Sequence, residues 1–360
     1  MEKKDSALHV RPGGSRVRSE LEGAALGRKP RSRRTAKEYT DRILQGDRIV
    51  LAQAITLAES TRPDDEAMAL EILDACLPYT GKSTRVGVTG VPGAGKSSII
   101  EVLGTHLIRD RGEKVAVLAI DPSSQLSGGS ILGDKTRMAT LAAQEMAFIR
   151  PSPSRGSLGG VARRTRETML LCEAAGFQNI IVETVGVGQS ETAVRSMVDF
   201  FLLLMLAGAG DELQGMKRGV MEMADLVAIN KADGANKTRA QQARIETQNA
   251  LHFFPPAPTG WVPRAVTCSA MTGEGISGLW QIMLEHSALL RGNGWLDRVR
   301  RSQMRQWMYE IIEHTLLIDF RTRPTVRDHL AEIERDVIEG RTTSFRGARQ
   351  LLGLYRRGNS

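Results

Sequence analysis

The sequence predicts an α/β fold: a mostly parallel, doubly wound sheet with helical extensions at its N- and C-terminal ends. Three observations predict it. Between Arg85 and Ser269, short apolar runs alternate with helical stretches, as they do where parallel strands are joined by crossover helices. The runs are apolar throughout rather than at every second residue, so their strands are covered on both faces. Before and after this region, apolar residues recur at helical spacing.

Composition sets the limits. The chain has 360 residues, 41% apolar and 25% charged, close to ordinary globular usage. That excludes a wholly disordered chain, a collagen and a coiled-coil rod. Three cysteines, Cys76, Cys172 and Cys268, lie far apart with no CxxC pair, which argues against a disulfide framework or a thiolate zinc site and fits a reducing compartment. The longest apolar stretch, Phe200 to Ala209, is about half of what a membrane-spanning helix needs, and no signal-peptide core precedes it. A soluble intracellular protein with no membrane contact is expected.

The net charge of +8 is concentrated at one end. Residues 1–35 hold ten Lys/Arg against four Asp/Glu, and the other 325 residues are nearly balanced. The run Arg28-Lys29-Pro30-Arg31-Ser32-Arg33-Arg34 has almost no apolar content and is expected to be a solvated, disordered arm. A weak polyanion contact and a mitochondrial presequence are the sharper readings; Glu2 and Asp5 count against the presequence.

From Ala36 the texture becomes helical. Asp47 can cap a helix carrying Ile49, Val50, Ala54, Ile55, Leu57 and Ala58. Pro63-Asp64-Asp65 ends it and caps a second helix through Leu77. The expected strands follow at Arg85–Thr89, Val115–Ile120, Ala147–Ile149, Ile180–Glu183, Phe200–Leu206, Leu226–Asn230 and Ala265–Cys268. Phe200–Leu206 reads as a central strand because Gly208 and Gly210 stop it early. After Trp280, Met304, Trp307, Met308, Ile311, Ile312 and Leu316 form one helical stripe, and Leu330, Ile333, Val337 and Ile338 form another ended by Gly340. The first stripe is equally compatible with ordinary core and with pairing to another subunit. The expected division is a basic arm at 1–35, a helical extension at 36–80, a nucleotide domain at 81–290 and a C-terminal helical dimerisation arm at 291–360.

Gly90-Val91-Pro92-Gly93-Ala94-Gly95-Lys96-Ser97 matches GxxxxGK[ST] between a strand and a helix, the context of a phosphate-binding P-loop. The glycines let successive N–H groups turn inward around a phosphate, and the next helix, opened by Lys96, Ser97 and Ser98, aims its positive end at the anion. Lys96 is placed to bridge β- and γ-oxygens and the Ser97 hydroxyl to ligate Mg²⁺. The fold class is therefore that of the P-loop NTPases.

Asn230-Lys231-Ala232-Asp233 stands at the end of an expected strand. A carboxylate at Asp233 can accept both the N1–H and 2-amino protons of guanine, whereas adenine offers no such pair. Lys231 can lie along the base and Asn230 can tie the neighbouring loops. Ser269-Ala270-Met271 ends the next strand and can offer a main-chain N–H to guanine O6. The expected nucleotide is GTP, with GDP as product.

Three more segments complete a resemblance: Asp121-Pro122-Ser123-Ser124 through Met138, Glu183-Thr184-Val185-Gly186-Val187-Gly188-Gln189-Ser190-Glu191, and Ala207-Gly208-Ala209-Gly210-Asp211-Glu212-Leu213-Gln214-Gly215-Met216-Lys217-Arg218-Gly219. From about residue 40 to about residue 355 the chain resembles the MeaB/ArgK group of P-loop GTPases, chaperones of methylmalonyl-CoA mutase that include the methylmalonic aciduria type A protein. The resemblance implies that Asp121 lies near Mg²⁺ in a first switch containing Asp134 and Arg137. It implies that Glu183 helps hold the Mg²⁺ shell, that the Gly186 N–H senses the γ-phosphate, and that Lys217, in an additional switch, is a candidate charge donor at the transferring phosphate. Serine stands at position 127 where relatives carry threonine, which keeps the hydroxyl. Gln189 lies too far beyond Gly186 to be assigned the water-positioning role.

The implied activity is slow GTP hydrolysis that gates adenosylcobalamin loading. The implied partners are a cobalamin-dependent acyl-CoA mutase, methylmalonyl-CoA mutase by default, the cobalamin adenosyltransferase, and a second copy of the chain. The expected compartment is the bacterial cytosol, with the mitochondrial matrix as alternative. Rival readings are a P-loop kinase, which leaves NKAD unexplained, and a metal-insertion GTPase, against which six scattered histidines argue. A nucleic-acid regulator using the basic arm is the third, and the near-neutral body argues against it.

Overall fold

The computed structural model describes residues 34–120, 138–151, 158–184, 190–208 and 218–357. Three helices come first: α1 (Ala36–Leu44), α2 (Arg48–Ala58) and α3 (Pro63–Cys76). Then strands and helices alternate: β1 (Thr84–Gly90), α4 (Lys96–Arg111), β2 (Val115–Ile120), α5 (Ala139–Ala142), β3 (Ala147–Pro151), α6 (Leu158–Ala174), β4 (Asn179–Thr184), α7 (Ser190–Arg195), β5 (Phe200–Leu206), α8 (Arg218–Glu222), β6 (Leu226–Asn230), α9 (Lys237–Leu251) and β7 (Arg264–Thr267). Four helices close the chain: α10 (Ile276–Gly292), α11 (Trp295–Thr322), α12 (Pro324–Ile338) and α13 (Ser344–Arg357). Among the described residues no helix is long and apolar enough to cross a membrane.

The seven strands form one sheet, ordered β3-β2-β4-β1-β5-β6-β7, and every neighbouring pair is parallel. This is the doubly wound P-loop NTPase sheet, with Phe200–Leu206 central between β1 and β6. Side chains alternate across each strand. Val115 and Val117 of β2 join a core with Ile99 and Leu103 of α4 and Leu279 of α10. Ala116, Leu118 and Ile120 face the opposite way, into a core with Met169 and Cys172 of α6 and Leu51 and Ile55 of α2. The N-terminal helices are therefore part of one of the sheet's two covering layers.

Local chemistry explains the helix boundaries. Asp47 caps α2, its Oδ1 accepting from the N–H groups of Ile49 and Val50 at 2.9 and 3.0 Å. The cap expected of Asp64 or Asp65 at α3 is corrected: Arg62 is the cap residue without a side-chain bond, Pro63 opens the first turn, and the helix stops at Cys76. The missing N–H of proline suits that first position, where no intrahelical partner exists. β3 and β4 run longer than expected, and β7 sits one residue earlier than Ala265–Cys268.

The Met/Trp stripe on α11 divides. Trp307 is buried, its ring under the Arg166 guanidinium at 5.0 Å and its Nε1 donating to Ser196 O. Met304, Met308, Ile311, Ile312 and Leu316 remain exposed. Gly347 of α13 lets that helix close on α12, since a Cβ there would meet Val337 Cγ2 at 2.8 Å. The basic arm falls on residues 1–35, of which 1–33 lie outside the described residues.

Candidate functional site

In a parallel sheet, the loops that follow the strands gather at one edge, where ligands of open α/β folds bind. Here that edge collects the ends of β1, β4, β6 and β7, and with them most of the residues singled out above. Gly90 ends β1 with its backbone pressed on β5: a Cβ there would lie 2.3 Å from the Leu204 carbonyl oxygen. The loop Val91–Gly95 follows, with Gly93 and Gly95 both left-handed at φ 81° and 88°, a conformation glycine adopts without strain. Gly95 is the residue preceding α4, so Lys96, Ser97 and Ser98 form its first turn, whose free N–H groups favour an anion.

Lys96 folds back over the loop, its Nζ donating to the Gly90 carbonyl at 2.7 Å and to that of Val91 at 3.3 Å. Ser97 Oγ donates to Glu183 Oε1 at 2.9 Å. Glu183 itself is buried at the end of β4, so a carboxylate and a hydroxyl meet beside the phosphate loop. Hard oxygen donors of this kind suit Mg²⁺, which is held by few protein groups and completed by water and phosphate oxygens. Among the described residues no group of three or more His, Cys, Asp or Glu could hold a metal ion.

The base-side elements converge on Asn230. Its Nδ2 donates to Ala94 O at 2.7 Å, and its Oδ1 accepts from the Ala270 N–H at 3.2 Å and from the Cys268 thiol at 3.8 Å. Burial pushes the Cys268 thiol up to about 12, so the sulfur stays protonated and able to donate. A Cβ at Gly95 would lie 2.5 Å from Asn230 Nδ2, which adds a packing reason for glycine there. Lys231 is the one described non-glycine residue with positive φ, at 58°, and its carbonyl accepts from Asn236 Nδ2 at 2.7 Å.

Asp233 is oriented by Ser269. The buried Ser269 Oγ donates to Asp233 Oδ2 at 2.5 Å and accepts from the Thr272 N–H at 3.2 Å. The Ala270 N–H is engaged by Asn230, and Met271 is 81% exposed at the turn. Sequence reasoning missed the ion pair between Lys237 and Glu274, 2.7 Å, which latches α9 to the loop after β7. It also missed the Thr89–Thr184 hydroxyl contact, 2.9 Å. Lys237 and Glu274 lie in no recognisable motif, and although Thr184 belongs to the Glu183-Thr184-Val185-Gly186 segment, nothing in that segment names Thr89 as its partner.

Asp121, Gly186 and Lys217, with Asp134, Arg137 and Gln189, lie outside the described residues. The arrangement that is described joins a phosphate loop, a hydroxyl–carboxylate pair and a carboxylate-bearing base loop through single side chains.

Comparison with known proteins agrees with this layout. The family model of the methylmalonyl-CoA mutase-associated GTPase MeaB matches residues 51–325. GTPase ArgK of Escherichia coli is 52% identical over 283 residues, 79% of this chain and 85% of that protein. The mouse methylmalonic aciduria type A homolog, named as mitochondrial, is 41% identical over 350 residues, covering 94% of this chain and 84% of that one. A crystal structure titled LAO/AO transport system kinase superimposes with a TM-score of 0.71 at 41% identity, covering 89% of this chain and 97% of its own. The chain belongs to the MeaB family of methylmalonyl-CoA mutase-associated GTPases.

Proposed function

We propose that this chain binds GTP with Mg²⁺, hydrolyses it slowly to GDP and phosphate, and uses the cycle to gate adenosylcobalamin loading into methylmalonyl-CoA mutase or a related acyl-CoA mutase. The observation that carries the reading is Asn230, which bonds the phosphate loop at Ala94 and the base loop at Ala270 with one side chain. That linkage makes recognition of the base and grip on the phosphates a single structural event.

The residues divide the work. Main-chain N–H groups of the Gly93–Ser98 turn cradle the phosphates, and Lys96 exchanges its carbonyl contacts for phosphate oxygens. Ser97 and Glu183, with Asp121, would hold Mg²⁺, which supplies charge neutralisation at the β- and γ-oxygens. Asp233, steadied by Ser269, accepts the two guanine donors, with Lys231 along the base and Ser269-Ala270-Met271 flanking it. Gly186 is the proposed γ-phosphate sensor, and Lys217 the proposed charge donor at the transferring group. The switch loops ordered by GTP are released on hydrolysis, and the mutase and adenosyltransferase read that difference.

The exposed stripe on α11 supports a homodimer built through the arm at 291–360, outside the nucleotide domain at 81–290 and the helical extension at 36–80. Five apolar side chains on one helix in water cost more than a polar face would.

The test is co-purification with each candidate mutase in the presence of GDP or a non-hydrolysable GTP analogue, beside a phosphate-release assay. Nucleotide-dependent capture of the mutase and release of free phosphate are expected. Phosphate transferred to a protein acceptor instead would favour the kinase reading carried by the solved relative's title. Capture of no mutase in either state would overturn the chaperone role.

A further inference from the structure

The loop after β6 holds one residue under strain and a second that keeps it so. Lys231 has a left-handed backbone, φ 58°. For an L residue this conformation costs free energy and persists only where neighbours enforce it. The peptide unit joining Lys231 to Ala232 is tied on both sides. Its carbonyl oxygen accepts from Asn236 Nδ2 at 2.7 Å, and its N–H, that of Ala232, donates to the Cys268 carbonyl at 3.0 Å. With both groups engaged, the peptide plane cannot turn to relieve the lysine.

Asn236 leaves its usual task undone to make that bond. It stands at the N-cap of α9, where an asparagine oxygen ordinarily accepts from the first free N–H groups of the helix. No such side-chain bond forms; the amide turns back five residues to Lys231 instead. Helix capping therefore does not account for asparagine here, and the strained lysine does.

We propose that Asn236 is a positioning residue for the guanine base: by holding the Lys231 carbonyl it keeps the left-handed turn that lays the lysine side chain along the base. The inference rests on the GTP-binding reading above and extends its base grip to a residue outside the Asn230–Asp233 motif. Asp233 is held by other means. Its carboxylate takes the Ser269 hydroxyl, and its carbonyl accepts from the Asn236 main-chain N–H at 2.9 Å, a bond that any residue but proline can make. Removing the Asn236 amide therefore loosens Lys231 and leaves Asp233 in place. A lysine stem along a purine face does not tell guanine from hypoxanthine. Asp233 does, because hypoxanthine lacks the 2-amino donor.

The experiment measures, by calorimetry on the whole chain with Mg²⁺, the affinities for GDP, a non-hydrolysable GTP analogue and inosine diphosphate. Variants are Asn236→Ala, Asn236→Asp, Lys231→Ala and the double alanine. Aspartate keeps the size and the helix-capping ability of asparagine but has no donor for the Lys231 carbonyl. Asn236→Ala and Asn236→Asp are each expected to weaken all three nucleotides by one common factor, roughly two- to fivefold, the lower half of what a hydrogen bond contributes because water competes for this one. The double alanine is no weaker than Lys231→Ala, since Asn236 acts through that lysine. An aspartate variant that binds like the wild type would show a capping role and overturn the inference. So would a changed ratio of GDP to inosine diphosphate affinity, a loss confined to one nucleotide, or additive losses in the double variant. A wild-type protein that binds no guanine nucleotide overturns the functional reading and the inference with it. Normal wild-type binding with an unaltered Asn236→Ala overturns the inference alone.

Discussion

Asn230 and Ala94 stand 136 positions apart, yet the Asn230 amide donates to the Ala94 carbonyl at 2.7 Å. The contact closes the phosphate loop from the base side, and the same side chain's oxygen receives the Ala270 N–H. The loop after β1 and the loop after β7 therefore share one joint in Asn230.

Asn230→Ala leaves a buried carbonyl at Ala94 and an N–H at Ala270 without these partners. Each such loss costs about 1–3 kcal/mol, so unfolding in urea should show a fall of about 2–6 kcal/mol. Guanine nucleotide affinity should fall with it. Full stability in the variant would mean that water replaces both bonds.

Asp233→Asn keeps the shape of the base loop and exchanges an acceptor for a donor. Guanine preference over adenine should weaken by roughly 1–3 kcal/mol, read as the ratio of GDP to ADP affinities by calorimetry. An unchanged ratio would remove Asp233 from base recognition, and the Ser269 bond would then be purely structural.

The strands were legible because a doubly covered strand must be apolar at every position, and each of the seven expected runs became one. The P-loop was legible because its residue types are dictated by phosphate chemistry, and the NKAD residues begin at the end of a strand, β6, where they were expected. The bounds and cap of α1 went unread within the expected helical extension, although Thr35 and Glu38 form a reciprocal cap at its start; only Tyr39, Thr40 and Ile43 of its nine residues are buried, too short a stripe for periodicity to reveal. β7 was read one residue late because Cys268 is as apolar as a strand residue. In fact its carbonyl accepts from the Ala232 N–H of the base loop. The partners of Arg85, Asp199 and Arg300 were not legible at all, since charge pairing across a hundred residues leaves no local pattern.

Ile312→Glu on α11 tests the proposed dimer. The side chain is exposed within an apolar stripe, so a carboxylate costs the single chain little and a buried interface about 2–5 kcal/mol. Sedimentation should show a shift from two copies to one, with phosphate release by the isolated chain retained. A variant that sediments like the wild type places the contact elsewhere.

His286 gives stability a pH dependence whose sign is fixed by burial. The ring sits edge-on to Phe200 and Trp261, at 5.0 and 4.9 Å. Desolvation pushes the imidazole below its ordinary value, aided by the Arg195 charge and opposed by Asp225, 3.8 Å from Nε2, and Asp199. The unfolded chain therefore takes up a proton, near pH 6.5, before the folded one does. Stability contributed by the neutral ring is present above that pH and declines as pH falls below it, until the folded ring also protonates. Urea unfolding of wild type and His286→Gln between about pH 8 and pH 5 should show a stability difference that shrinks on acidification. A difference independent of pH would mean that His286 does not titrate differently in the two states.

Arg300 carries the α11 arm on the sheet. Its Nε and Nη2 take both oxygens of Asp199 at 2.8 and 2.6 Å, and its remaining donors reach the carbonyls of Ser83 and Gly81 at 2.6 and 2.5 Å. Asp199 Oδ2 also receives the Arg85 N–H at 3.0 Å, and the Arg85 side chain pairs with Glu173 at 2.7 Å. The guanidinium thus joins the arm to the starts of β1 and β5, and lysine cannot copy its planar fork. Arg300→Leu strands a buried carboxylate and should cost about 3–5 kcal/mol in urea unfolding. Adding Asp199→Asn removes the stranded charge, and part of that loss should return. If the double variant is as unstable as the sum of the singles, Asp199 is held by its bond to Arg85 and the arm does not depend on the ion pair.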